Sequence, residues 1–252
     1  MLGLGTKLTG GRLPTASHVT SNLKMLHRYN TGSVVPVSDG AFYFNDSSIN
    51  FGTTITHDIS EDDNSGTHTY SFWVKRTSVP ISSWEAILST QGTDGNQWII
   101  FDNDADRLVL EAGPGDSANG TISPAMGNEW NHFAVTANTT TIAIYMNGAA
   151  LTMPDSAISA DVTLNCLGDN GAGSNHLVGY LCNVGIWERV LTQAEIKDIM
   201  FKNYEGLSGD ASSGNKKNLI HWWNLDEETA TDGTAGTGGV KDSHGTNHGT
   251  LA

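Results

Sequence analysis

Residues 129–148 read EWNHFAVTANTTTIAIYMNG, and this stretch decides the fold. Phe133 and Val135 alternate with His132 and Ala134, the two-residue period of a strand that shows a different face to each side. Tyr145-Met146-Asn147-Gly148 is a second strand running into a tight turn, because Asn and Gly accept the positive φ such turns need. Further short apolar or alternating runs lie on both sides: FYFNDSSINFG, HTYSFWVKRTS, WEAILSTQG, NQWIIFDND, RLVLEAG, VTLNCLG and HLVGYLCNVGIWERV. Turn formers such as GTDGN, NDAD and GPGDSANG separate them. Many short strands at close spacing indicate an all-β, two-sheet antiparallel sandwich rather than βαβ units.

One helix interrupts the strands. In LTQAEIKDIMF, Thr192 is an N-cap and Glu195 completes a capping box. Leu191 and Ile196 are spaced as a hydrophobic staple, and Ile196, Ile199 and Met200 give one apolar face. The spacing predicts a short surface helix near 192–201 lying on the sandwich.

Composition narrows the function. With 13 Lys and Arg against 27 Asp and Glu the net charge is −14, a field that repels phosphates and anionic lipid and disfavours nucleic-acid binding. No apolar run is long enough to cross a bilayer, so no membrane insertion is expected. The opening MLGLGTKLTGGRLP, interrupted by Lys7 and Arg12, lacks the apolar stretch of a signal peptide, so synthesis in a host cytoplasm is expected. Two cysteines, Cys166 and Cys182, are too few for a disulfide framework and are expected as buried, reduced side chains.

Residues 1–38 show no sustained period, and are expected to be an extended N-terminal arm that orders against a neighbour, with Leu2, Leu4, Lys7, Arg12 and Leu13 as its docking residues. Residues 39–252 are expected to form the sandwich.

Four segments in order resemble the laminin-G-like (pentraxin and concanavalin A-like) jelly roll. AFYFNDSSINFG is similar to its opening strand and TYSFWVKRT to its "fTisaWVk" strand. EWNHFAVTANTTTIAIYMNG matches "W-x-h-v-A-v-t…l-x-l-Y-v-N-G" at Trp130, His132, Ala134, Tyr145, Asn147 and Gly148. GYLCNVGIWERVLTQAEI matches the family's last strand and following helix from Gly179 to Ile196. The end of the chain, NLIHWWNLDEETATDGTAGTGGVKDSHGTNHGTLA from Asn218, resembles the segment with which the family usually begins. This implies a permuted arrangement in which residues 218–252 return a terminal strand to the same sandwich, LIHWWNL pairing beside the Ala41 segment. Alternation puts Ile220, Trp222 and Asn224 on one face and Leu219, His221, Trp223 and Leu225 on the other. One of the two tryptophans is expected in the core and the other at least partly covered, with the arm as a candidate cover.

The residues offer little catalysis. Retaining hydrolases of related fold carry alternating acids on one strand; Glu61-Asp62-Asp63 and Asp226-Glu227-Glu228 are consecutive instead, and Asp102, Asp104 and Asp106 sit in a hairpin turn. No phosphate loop, nucleophile elbow or Cys–His pair with catalytic context occurs, so no enzyme is expected. Asp242, His244, His248 and His221 stand in or near a Gly-rich turn and are expected as loop residues rather than zinc ligands. The resemblance implies calcium as the candidate ion, no cofactor being required, with Asp94, Asn96, Asp169 and Asn170 as loop-tip oxygen donors. Where the family often carries an acid, however, this chain has Cys182. Carbohydrate is the candidate ligand, stacking on Trp84, Trp98 and Trp187.

The arm together with a stand-alone laminin-G-like domain is similar to tailed-phage virion proteins, those of marine phages in particular. That resemblance implies a non-enzymatic capsid decoration, cement or head-fibre protein, homo-oligomeric on the particle and partnered by other virion proteins. The alternative is a tail-fibre or adhesin-like lectin module that binds host-surface polysaccharide.

Overall fold

The computed structural model describes residues 35–59, 66–77, 84–90, 97–102, 106–123, 125–169, 175–227 and 239–251. Sixteen strands occur among them. They are β1 (Phe42–Phe44), β2 (Ile49–His57), β3 (Thr67–Arg76), β4 (Glu85–Ser89), β5 (Trp98–Phe101), β6 (Arg107–Gly113), β7 (Asp116–Thr121) and β8 (Asn131–Asn138). There follow β9 (Thr141–Met146), β10 (Ala149–Ala150), β11 (Thr152–Asp155), β12 (Val162–Leu167), β13 (Gly179–Trp187), β14 (Leu219–Trp223), β15 (Gly239–Val240) and β16 (Gly249–Leu251). One sheet has the order β1-β13-β3-β8-β9-β10, with β14 also on β13, and the other β11-β7-β6-β5-β4-β12-β2-β16-β15. Every pairing is antiparallel, which makes the molecule a jelly-roll sandwich of a seven- and a nine-stranded sheet.

The deciding hairpin forms as its sequence dictates. β8 pairs β9 from Asn138↔Thr141 to Phe133↔Met146. Asn147 and Gly148 both take positive φ, at 50° and 74°, and turn the chain into β10. The Asn147 amide also donates to Asn131 Oδ1 at 2.8 Å, while its Oδ1 accepts from the His132 backbone at 2.9 Å, so one side chain ties the turn to the start of β8.

Between the sheets lies one apolar core, with Phe44, Ile49, Phe72, Phe101, Phe133 and Trp223 among its fully buried members. Cys166 and Cys182 are buried and unbridged. A second cluster, on the outer face of the seven-stranded sheet, joins Ala134, Trp187, Leu219 and Trp222 to α1 (Gln193–Ile199). The helix starts at Thr192, whose side chain accepts from Glu195 N while the Glu195 carboxylate accepts from Thr192 N; Leu191 and Ile196 meet in the cluster beneath. No helix among the described residues is long and apolar enough to cross a membrane.

The last strands enter both sheets. β16 pairs β2 at Gly249↔Phe51, and β14 pairs β13 at Val184↔Trp223. The expected pairing of LIHWWNL with the Ala41 segment is corrected: β1 and β14 do not pair each other but lie end to end along one edge of β13, β14 on residues 184–187 and β1 on 179–181. The join is made by Asn183, at φ 50°, whose backbone N–H donates to Asn224 O at 3.1 Å and whose side-chain amide donates to Val37 O at 2.8 Å. Gly40 passes so close to Asp226 that a Cβ there would lie 3.2 Å from its Cα.

Both tryptophans of β14 are buried, Trp222 at 1% and Trp223 at 0% exposure, one in the central core and the other fully covered on the helix side. The register slips one residue between Ile186↔His221 and Trp187↔Leu219. Leu219 therefore shares the helix-side cluster with Trp222, while Ile220 packs on the central core with Trp223. Trp222 is covered by Leu207, Leu219 and Trp187.

Candidate functional site

The outer face of the nine-stranded sheet carries the surface best shaped for a ligand. Trp84 immediately precedes β4, and Trp98 opens β5. Alternation points both outward with Ala86 and Ile100, and the hairpin places Val109 opposite Ile100 and Glu111 opposite Trp98. Ala86, Ile100 and Val109 form a small buried floor on which both half-buried indoles pack. The two rings lie 6.3 Å apart at 27°, so their planes run nearly parallel. Trp98 Nε1 donates to Oε2 of the buried Glu111 at 2.7 Å, which locks one ring against a carboxylate. Ser117 faces Glu111 from β7, and Asn119 faces Val109. At the other end Arg107 pairs with the buried carboxylate of Asp102.

This arrangement can bind and orient. Indole faces present apolar area to the C–H faces of a pyranose, and a carboxylate accepts hydrogen bonds from hydroxyls. Glycoside hydrolysis needs two carboxylates flanking the scissile bond. On this face Asp102 is committed to Arg107, and Glu85, the residue after Trp84, points inward to an ion pair with Arg76 at 2.8 Å. Burial pushes the Glu85 carboxyl up to about 7, against the opposing pull of that guanidinium.

Trp187, expected on a sugar-binding face, is corrected. It is 0% exposed, its ring meets Trp222 edge-on at 6.0 Å, and its Nε1 donates to Asn215 O at 2.7 Å. The helix and the segment after it close over the face of β13 that bears it.

Of the residues expected to hold calcium, Asp94, Asn96 and Asn170 lie outside the described residues, as do Leu2, Leu4, Lys7, Arg12 and Leu13 of the arm. Asp169 is described: its backbone carbonyl accepts from Ser89, and its Oδ1 lies 3.5 Å from His176 Nδ1, while His176 Nε2 contacts Asp46 Oδ1 at 2.9 Å. Among the described residues no group of three or more His, Cys, Asp and Glu side chains is placed to hold a metal.

The Asp242 turn has a structural role. Asp242 Oδ1 accepts from the backbone of Trp222, His244 and Gly245, and Oδ2 from Asn247 N and His221 Nδ1. Burial raises this carboxyl, but the donors around it outweigh burial and hold it below the usual carboxylate range.

Sequence reasoning missed Glu111. Its signal was present, because a hairpin turned at FDNDADRL puts Glu111 across from Trp98 once Phe101 faces Leu108.

Residues 47–197 match the family model described as the concanavalin A-like lectin/glucanases superfamily. A search of curated proteins gave no match. Among solved structures the chain is similar to a Bacteroides ovatus protein proposed to bind carbohydrate, with 19% identity and a TM-score of 0.56, covering 84% of this chain and 57% of that one. It is also similar to the heptameric SAP-like pentraxin of Limulus polyphemus, with 15% identity, a TM-score of 0.45 and coverage of 61% and 75%. A third likeness is to domain 4 of an extracellular arabinanase from Geobacillus stearothermophilus, in complex with arabinotriose, with 19% identity, a TM-score of 0.41 and coverage of 64% and 76%. The chain thus spans little more than half of the Bacteroides ovatus protein.

Proposed function

The chain belongs to the concanavalin A-like lectin/glucanases superfamily, and from that membership we propose that its jelly roll is a non-catalytic carbohydrate-binding module whose binding face is the Trp84–Trp98 platform. The observation that carries this reading is the Trp98–Glu111 hydrogen bond beside two near-parallel, half-buried indoles. A ring fixed before the ligand arrives loses little freedom on binding, which raises affinity for a stacked sugar. The ligand class is host-surface polysaccharide; the Bacteroides ovatus protein of this fold is itself described as one proposed to bind carbohydrate. A glycan array with the full chain tests it: Trp84→Ala and Trp98→Ala lose retention, whereas folded Trp187→Ala keeps it. Retention of the same glycans by Trp98→Ala would sink the reading.

The setting we propose is the tailed-phage particle, with the module displayed as a capsid decoration or head fibre, in several copies, and residues 1–38 docking on other virion proteins. Support for this comes from the composition of the arm, which shows no sustained strand or helix period. Deleting residues 1–34 spares the Val37 carbonyl held by Asn183 and abolishes incorporation into particles. Full occupancy by the truncated chain excludes the docking role.

A further inference from the structure

A second aromatic surface lies on the opposite side of the sandwich, and it stands on observations independent of the Trp84–Trp98 platform. Strand register aligns Tyr43 of β1 with Tyr180 of β13, and Tyr180 with Lys75 of β3. Trp130 precedes Asn131, the partner of Val74, and so continues the same row beside Lys75. Tyr43 is 44% exposed, its ring lies 4.8 Å from that of Tyr180, and Tyr180 lies 6.3 Å from Trp130. The neighbouring row on this face contains Cys182 and Trp73 and is covered by Met200, whose carbonyl accepts from Trp73 Nε1 at 2.8 Å. Cover ends there, because α1 stops at Ile199, and Phe201, 50% exposed, stands at the border. Tyr180 and Trp130 are half-buried, and a contiguous, partly exposed aromatic row of this kind can serve as a binding surface.

The charge within the row names the ligand. Lys75 Nζ lies 6.0 Å from the Tyr180 centroid, and among the described residues no carboxylate pairs with it, in a chain with 27 acidic side chains. The carboxylate of Glu129, beside Trp130, is turned onto Gly127 instead. We propose that this row is a second glycan site, specific for uronic acid residues of an acidic polysaccharide. Pyranose faces stack on Tyr43, Tyr180 and Trp130 while the sugar carboxylate pairs with the Lys75 ammonium. The Trp84–Trp98 platform differs in kind: its charge is the Glu111 carboxylate, which repels an anionic sugar and accepts from neutral hydroxyls.

Titration calorimetry of the full chain with polygalacturonate oligosaccharides, and with neutral β-glucan oligosaccharides for comparison, tests the proposal. Polygalacturonate binds the wild type, weakens with added salt, and weakens about tenfold or more in Lys75→Gln and in Tyr43→Ala. Lys75→Arg and Tyr43→Phe, which keep the charge and the ring, restore binding, and Trp98→Ala leaves it unchanged. Absence of polygalacturonate binding by the wild type, equal binding by Lys75→Gln, or its loss in Trp98→Ala overturns the second site. Failure of neutral glycans alone bears on the Trp84–Trp98 platform and not on this row.

Discussion

Trp223 stacks on Phe51 with ring centroids 4.3 Å apart and planes 11° from parallel, so a residue near the end of the chain completes the core over a residue near the sandwich's beginning. Its Nε1 donates to Asn247 O at 3.0 Å, which satisfies the one polar atom it brings inside. Trp223→Ala is therefore expected to cost about 3–5 kcal/mol, and Trp222→Ala a similar amount through the helix-side cluster. Urea unfolding monitored by circular dichroism measures both, and a soluble, fully stable double variant would show that β14 is dispensable.

Asp242 gathers donors from Trp222, His244, Gly245, Asn247 and His221, so its loss leaves several buried N–H groups without an acceptor. Asp242→Ala is expected to destabilise by about 3 kcal/mol or more. Hydrogen exchange should accelerate first in residues 242–247, because the backbone N–H groups of His244, Gly245 and Asn247 all donate to this carboxylate. Unchanged exchange there would argue against the turn's dependence on this carboxylate.

Acid should destabilise the fold well above the carboxylate range. Burial lowers His57 and lowers His132 to about 3, so from near 6.5 downward the unfolded chain takes up protons ahead of these two folded imidazoles. Their contribution is whole above 6.5 and is lost as pH falls below it. Glu85 works the other way: raised to about 7, it holds a proton in the folded state between there and 4.5, and adds stability as pH falls. Burial lowers His244 as well, so the depressed imidazoles together oppose the raised Glu85 carboxyl and stability is expected to fall as pH drops below 6.5. Melting temperatures at pH 7, 6 and 5 measure it, and His132→Gln flattens the slope.

Chelation should leave the melting temperature unchanged. The described contacts that join the two sheets are made between residues, such as Arg76–Glu85 and the His57–His68 pair at 3.2 Å, and need no ion. A drop on adding EDTA, restored by calcium, would show a bound ion, with Asp94, Asn96, Asp169 and Asn170 as its candidate donors.

Much of the fold was legible in the chain because its signals are local. Strand period, the Asn147-Gly148 turn and the Thr192–Glu195 capping box each depend on residues a few positions apart, and each appears in the structure. Alternation also assigned Trp84 and Trp98 to one class with Trp187, since a two-residue period states which side chains share a face and is silent about what covers it.

Cover was decided by tertiary structure alone. Trp187 vanished beneath a helix that follows it, while Trp98 stayed half-buried on its apolar floor beside the Glu111 carboxylate. The place of β14 was decided the same way. Its sequence carried two tryptophans that need a core, but only the free edge of β13, left half filled by the three residues of β1, determined where that strand could bury them.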